Sequence, residues 1–128
     1  MINMLSGNEE TVNTFKAAVG KEISEMEIKD NELIIGFTDG KKIKIFDNGQ
    51  SCCESRYMST DDDLKYYVGA KLTGGELADG PEATGEYGEC HEQQFLKIET
   101  SKGVFTIVNH NEHNGYYGGF SVEVRGIQ

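Results

Sequence analysis

Hydrophobic residues near the N-terminus recur at helical spacing over one short stretch. Val12, Phe15 and Val19 are three and four residues apart, which places them on one face of a helix. Asn8 can cap this helix, and two glutamates in its first turn favour the helix dipole. The pattern predicts a helix over residues 9–19 that packs on a sheet.

The next hydrophobic runs have the period of strands. The runs "EISEMEIKD", "ELIIGF" and "KKIKIF" are separated by the turn residues Asp30-Asn31 and by "TDG". In the third run Ile43 and Ile45 alternate with lysines, which is typical of a sheet with one solvated face. We predict a three-stranded antiparallel meander.

The segment after the meander predicts a second, shorter helix. Ser59 or Thr60 can cap it, and Leu64, Tyr67 and Val68 would form its buried face. Three successive aspartates, residues 61–63, fall in the first turn, where they favour the dipole. The alternative is a Mg²⁺ or Ca²⁺ site, which the missing EF-hand spacing disfavours.

A glycine-rich segment then interrupts the pattern. We predict one strand near Ala70–Leu72 and a long loop after it, including residues 74–88. The run "QFLKIETSKGVFTIVNH" predicts a hairpin that turns at Ser101–Gly103. In the last run, "YGGFSVEVRG", the alternation predicts Phe120, Val122 and Val124 on the core side and Ser121, Glu123 and Arg125 on the other.

These elements define the expected fold class. The chain of 128 residues fits a single domain, residues 1–128, with no linker and no repeat. The fold class is α+β, mainly an antiparallel sheet made of the meander and C-terminal hairpins, with an N-terminal helix and a second short helix.

The charge, the hydrophobic runs and the cysteine content limit the possible ligands and the cellular location. The net charge of −10 argues against binding of duplex nucleic acid, which needs a basic surface. No apolar run is long enough to cross a membrane, and the N-terminus lacks a signal-peptide pattern, so a cytoplasmic location is expected. The three cysteines, Cys52, Cys53 and Cys90, are expected to be free thiols rather than a disulfide framework.

The stretch "NHNEHNGYYGGF", residues 109–120, carries the most distinctive chemistry. A zinc site is disfavoured because His110 and His113 lack a matching second pair of ligands. No hydrolase or P-loop motif occurs, and neither a metal nor a cofactor is expected. The remaining hypotheses are a solvated hairpin loop and a nucleotide-binding wall of amides and aromatic faces, with Arg56 and Arg125 to neutralise phosphates.

Two blocks together resemble a known family. The blocks "SCCESRYMSTDDDL" and "FTIVNHNEHNGYYGGFSVEVRG" are similar to the phage anti-Thoeris signal-sponge family, the first type of Thoeris anti-defence proteins. This resemblance implies a protein without catalytic activity that binds cyclic ADP-ribose isomers made by bacterial TIR-domain enzymes and sequesters them uncleaved in the infected host cell. It also implies homodimers that can assemble into hexamers, and separate sites in some members for the cyclic oligonucleotides of CBASS defence.

The resemblance also implies a nucleotide pocket at a subunit interface. Arginine, asparagine and aromatic side chains form that pocket in the family. In this chain the resemblance implies Phe95 or Phe105 as the residue that stacks on the base. The candidate ligand-binding residues are Arg56, Tyr57, Met58, Phe95, Phe105, Asn109, His110, Asn111 and Arg125. Replacement of either arginine by alanine is expected to weaken ligand binding and leave the fold intact.

Two other functions stay open. One is an enzyme that cleaves a cyclic nucleotide signal, and the other is a non-catalytic protein-interaction module. The sequence does not distinguish among the cyclic ADP-ribose isomers.

Overall fold

The hydrophobic runs form two four-stranded antiparallel sheets that share one core. A computed structural model describes residues 9–49, 54–85, 89–113 and 119–127. The first sheet has the strand order β1-β2-β3-β8 and the second the order β4-β7-β6-β5. The predicted α+β fold with mainly antiparallel sheet is confirmed. The strands are β1 (Ile23–Lys29), β2 (Glu32–Phe37), β3 (Lys42–Asp47), β4 (Glu54–Ser59), β5 (Leu72–Thr84), β6 (Cys90–Thr100), β7 (Gly103–His113) and β8 (Val122–Ile127).

The core lies between the inward faces of the two sheets. Alternate residues of β2, β3 and β8 contribute one side, and alternate residues of β6 and β7 contribute the other. The side chains with no exposed surface include Ile23, Leu33, Ile35, Ile45, Leu72, Leu96, Ile98, Phe105, Ile107 and Val124. Among the described residues, no helix has the length and apolar character needed to span a membrane.

The N-terminal helix α1 (Glu9–Ala18) is present, but its buried face differs from the prediction. The predicted stripe is wrong at Val12, which is half-buried, and at Val19, which is 42% exposed. The reason is that α1 lies against β8, an edge strand, where the Thr11 hydroxyl accepts a hydrogen bond of 3.2 Å from the Val124 amide. The buried residues of α1 are Thr11, Phe15 and Ala18.

The meander is confirmed with its predicted turn. Asp30 and Asn31 have φ values of 52° and 61°, so both adopt the left-handed conformation that a two-residue hairpin turn requires. Asn31 also accepts a hydrogen bond of 3.3 Å from the Met58 amide through its side-chain oxygen. The turn of the first sheet is thereby tied to β4 of the second sheet.

The glycine-rich segment is a strand, not the predicted loop. Residues 72–84 form β5, which pairs with β6 along most of its length. A register shift between Asp79 and Glu82 absorbs Gly80 and the proline that follows it. A β-carbon on Gly80 would lie 3.1 Å from the Phe95 ring, so the glycine allows this ring to cross β5.

The second helix is a single 3-10 turn, Leu64–Tyr67, capped by Asp63 rather than by Ser59 or Thr60. The Asp63 carboxylate accepts a hydrogen bond of 3.1 Å from the Lys65 amide. Asp62 likewise accepts one of 2.8 Å from the Thr106 amide of β7. Two of the three successive aspartates therefore bond backbone amides.

The C-terminal part of the chain departs from the predicted hairpins at one point. The hairpin that turns at Ser101–Gly103 is confirmed. The segment 109–113 is not loop, however, because β7 continues to His113. In addition, β7 and β8 belong to different sheets, so the stretch between them is a crossover and not a hairpin loop. Its residues 114–118, together with Asn8, Cys52 and Cys53, lie outside the described residues.

Candidate functional site

The pairing of β4 with β7 brings two distant parts of the sequence together. These strands carry the blocks "ESRYMS" and "VNHNEH", which are separated in the chain by β5 and β6. Six consecutive residue pairs align them without a register shift. The three central pairs join Arg56 with Asn111, Tyr57 with His110, and Met58 with Asn109.

Strand alternation divides these residues between two faces of the second sheet. Asn109 and Asn111 continue the inward-facing series of Phe105 and Ile107 along β7, and Arg56 pairs with Asn111, so all three side chains point toward the interior. Tyr57 and His110 point to the opposite face, called here the outer face. The six central residues therefore form two groups, one buried and one accessible.

Arg56 is the centre of the buried group. Its Nη1 donates hydrogen bonds of 2.9 Å to both carboxylate oxygens of Asp47, and Nη2 donates one of 2.9 Å to Glu54. The exposed side-chain fractions are 8% for Arg56, 9% for Asp47 and 1% for Glu54. Burial by itself would lower the pKa of Arg56, but the bonds to Glu54 and Asp47 outweigh it and raise that pKa.

This arrangement makes Arg56 a link between the two sheets. Asp47 ends β3 of the first sheet, whereas Arg56 and Glu54 lie on β4 of the second. One guanidinium faces two carboxylates, so the formal charge of the three groups is negative. As placed, Arg56 binds protein carboxylates through Nη1 and Nη2 rather than a phosphate group.

Buried amides surround the arginine. Asn111 Nδ2 donates hydrogen bonds of 3.0 Å to Glu54 and 3.1 Å to the Gly119 carbonyl, which ties the crossover between β7 and β8 to β4. Three buried amide atoms have no hydrogen-bond partner among the residues that the structure describes: Asn109 Nδ2, Asn111 Oδ1 and Gln94 Oε1. Such atoms cost about 1–3 kcal/mol each unless water or a ligand meets them.

The space beside Asn109 is small. A cavity of about 20 Å³ adjoins Asn109, Arg56 and Asp47, which is room for one water molecule. A larger cleft of about 350 Å³ opens where β5 and β6 meet the end of the crossover. Its lining includes Gln94, Glu92, Gly119 and Phe120. Asn109 therefore belongs to a buried polar cluster and is not part of an accessible binding wall.

The outer face carries a stacked aromatic pair. The Tyr57 and His110 rings lie 4.4 Å apart with an angle of 8° between their planes. The Tyr57 hydroxyl donates a hydrogen bond to Glu112, which, with burial, raises the pKa of Tyr57 to about 12. Burial, followed by the neighbouring His91, lowers the pKa of His110, so its imidazole is neutral at pH 7.

The structure separates the two candidate stacking phenylalanines. Phe105 has no exposed surface and packs 4.9 Å from the Tyr67 ring in the core, so it cannot stack on a ligand where it lies. Phe95 points to the outer face from β6 and is only partly buried. Phe95 is therefore the accessible aromatic side chain of the two.

Arg125 lies in the other sheet. It occupies β8 opposite Lys44 of β3, and its guanidinium lies 5.2 Å from the centre of the Phe46 ring. Its Nη2 donates a hydrogen bond of 2.8 Å to Glu123, and its side chain is 42% exposed. Lys44 is three residues, about 10 Å, from Asp47 along β3 and on the opposite face. The expected convergence of Arg125 with Arg56 does not occur within one chain.

Several residues of the site were not anticipated from the sequence. Asp47 and Glu54 neutralise Arg56, and Glu92 accepts hydrogen bonds from His113 (2.8 Å) and from the Gly119 amide (3.0 Å). The acidic composition of the chain gave no means to single out these carboxylates among twenty-two. Within the described ranges, no group of three or more metal-binding side chains comes together.

A further concave surface lies beside α1. A groove of about 770 Å³ runs between α1 and the turn from β2 to β3. Lys21, Lys41 and Lys42 line it. Lys21 and Lys42 form ion pairs with Asp39 (2.9 Å) and Glu25 (2.8 Å).

Together these features describe an α+β domain of two antiparallel sheets, with a buried arginine–carboxylate–amide cluster that links them. Residues 16–122 match the family model described as a domain of unknown function (DUF7448), and the chain belongs to that family. The match includes both sequence blocks that pair in β4 and β7. The chain matches no curated protein and no solved structure.

Proposed function

We propose that this protein binds and sequesters, without cleaving, cyclic ADP-ribose isomers made by bacterial TIR-domain immune enzymes, in the cytoplasm of an infected host cell. One observation carries the proposal beyond the resemblance of the sequence. The parts of the two blocks that form β4 and β7 are direct strand neighbours over six residue pairs, as a single site built from both blocks would require. The family to which the chain belongs has no assigned activity that speaks for or against this role.

The outer face of the second sheet suits the purine of such a ligand. Tyr57 and His110 form a flat stacked pair, and Phe95 of β6 lies two residue pairs further along, on the same face. Aromatic rings of this kind stack on a base with a gain of about 1–3 kcal/mol. The buried cluster of Arg56 and its amides then acts beneath this face as support.

The pyrophosphate needs a cation that is not already saturated. Arg125 is the more exposed arginine and, among the described residues, pairs with one carboxylate, that of Glu123, so it is suited to this role. It lies on a different sheet from Tyr57, however, so one chain does not supply both groups together. We therefore place the complete pocket between two copies of the chain, in a homodimer that can assemble further into a hexamer.

The decisive experiment incubates the full chain with a panel of cyclic ADP-ribose isomers, followed by native mass spectrometry. We expect a ligand adduct on a dimer, and intact ligand after the complex is denatured by heat. Recovery of cleaved product would instead identify an enzyme. No adduct with any member of the panel would refute the sponge and favour a protein-interaction module.

Calorimetry on two variants tests the assignment of residues. Arg125→Ala and Phe95→Ala are each expected to raise Kd by about 10- to 100-fold, because each removes about 1.5–3 kcal/mol of contact with phosphate or base. Lys29→Ala is the matched control for Arg125→Ala, since Lys29 is an exposed cation of β1 and its loss changes the net charge equally. Unchanged affinity in Arg125→Ala would contradict the proposed pocket.

The lysine-lined groove supports a separate site for cyclic oligonucleotides. Its volume and its three cations suit an anionic ligand larger than water or a simple ion. The ion pairs of Lys21 and Lys42 are partly exposed, so their exchange for ligand phosphates costs little. Binding of a cyclic trinucleotide that survives Phe95→Ala but is lost in Lys41→Ala would establish the second site; loss in both variants would assign the ligand to the first.

A further inference from the structure

Ser59, His110 and His91 form a continuous chain of hydrogen bonds on the outer face. Ser59 Oγ lies 2.8 Å from His110 Nε2. His110 Nδ1 in turn lies 2.8 Å from His91 Nε2. Each imidazole nitrogen of His110 therefore has one partner, a hydroxyl on one side and a second imidazole on the other.

The surrounding strands and the Tyr57 ring hold this row of hydrogen bonds in place. Ser59 ends β4, His110 is central in β7 and His91 lies near the start of β6, so three adjacent strands contribute one group each. Stacking of Tyr57 on His110 fixes the plane of the imidazole. Ser59 remains exposed, and its hydroxyl is accessible to molecules in solution.

We propose that Ser59 is an activated nucleophile that accepts acyl or phosphonyl groups, with His110 as its general base and His91 as the residue that positions His110. The hydrogen-bond distances are those that a nucleophile, a base and a positioning residue require. In this arrangement Ser59 donates its proton toward His110 Nε2, and His110 Nδ1–H donates to His91. This activity shares His110 with the proposed base-stacking face but requires no bound nucleotide.

The step balances with an activated ester as substrate. Ser59 Oγ attacks the carbonyl carbon and its proton passes to His110 Nε2. The ester C–O bond then breaks, and the leaving alcohol takes that proton. Water, activated by the same imidazole, later hydrolyses the acyl-serine. With a fluorophosphonate, an Oγ–P bond forms, the P–F bond breaks, and fluoride leaves.

The test treats the folded full-length chain with a fluorophosphonate probe and locates the label by peptide mass spectrometry. We expect labelling at Ser59 and none at Ser55, which is the matched control. Ser55 is exposed on the same strand and points to the same outer face, but it pairs with Glu112 and not with a histidine. Ser59→Ala should abolish labelling, Ser55→Ala should not change it, and His110→Gln should slow it by about a hundredfold.

The pH profile distinguishes a base from a merely structural imidazole. The groups that face His110 are His91, Tyr57, Ser59 and Glu112. The labelling rate should rise with pH through a midpoint below the ordinary histidine pKa, because burial and His91 disfavour the protonated ring. His91→Gln should move that midpoint upward.

Three results would overturn the proposal. They are equal labelling of Ser55 and Ser59, no labelling faster than in chain unfolded by guanidinium chloride, and a rate that His110→Gln leaves unchanged. A circular dichroism spectrum of each variant identical to that of the wild type makes these outcomes independent of misfolding. None of them uses a nucleotide, so failure here leaves the sponge proposal unaffected.

Discussion

Replacement of Arg56 by alanine should destabilise the fold strongly. The substitution leaves the carboxylates of Asp47 and Glu54 buried without their cation, at 9% and 1% side-chain exposure. Removal of one partner from a buried ion pair typically costs about 3–5 kcal/mol. With a urea m-value of about 2 kcal/mol per molar, the unfolding midpoint should fall by about 1.5–2.5 M.

The assay is urea unfolding followed by far-ultraviolet circular dichroism, since the chain has no tryptophan. Arg125→Ala is the matched control, because it removes the same side chain at 42% exposure and should cost about 1 kcal/mol or less. Arg56→Lys keeps the charge but loses the two-pronged geometry, and should fall between the two variants.

A loss below about 1 kcal/mol in Arg56→Ala would refute the reasoning, since the buried link would then contribute no more than a surface ion pair. The result also determines how binding data are read. A loss of ligand affinity in Arg56→Ala reports on the fold as well as on the ligand, contrary to the expectation from sequence that the fold stays intact. Arg125→Ala has no such ambiguity.

Three further predictions concern single residues. Phe105→Ala should lower the free energy of unfolding by about 3–5 kcal/mol in the same urea assay, because the ring is fully buried. Tyrosinate absorbance should show one tyrosine that ionises near pH 12, and Glu112→Gln should return it toward 10. Since folding raises this pKa, the stabilisation is complete below about pH 10 and is lost as the pH rises through 12. Thr11→Val should cost about 1–3 kcal/mol because the buried Val124 amide loses its acceptor, whereas Thr11→Ser, which keeps the hydroxyl, should cost less.

The sequence pattern predicted the strands and turns whose conformation depends on nearby residues. The meander follows from alternation and from Asp30-Asn31, whose short polar side chains tolerate the left-handed conformation of the turn. The strand β5 was missed because glycines and a proline conceal its alternation. Its formation depends on pairing with β6, whose side chains alternate more clearly between buried and solvated positions.

The sequence predicted which residues of the candidate site lie near one another better than it predicted which of them are buried. Tyr57 and His110 do lie together, as do Arg56 and Asn111, because the two blocks are strand neighbours. Which side chains face the interior depends on the register between β4 and β7, and no local pattern specifies that register. The faces of Phe105 and Phe95 depend in the same way on the register between β7 and β6, in which Phe95 pairs with Val108.

The long-range pairing of β4 with β7 has a consequence for the order of folding. The hairpin of β6 and β7 closes over a two-residue turn, so its contacts are local and form early. β4 precedes both β5 and β6 in the chain, and its addition to β7 closes a much longer loop. Tyr57 therefore reaches His110 only in a late step of folding. A ligand that bound these residues would select molecules that have completed this step, and nascent or partly folded chains would not compete for it.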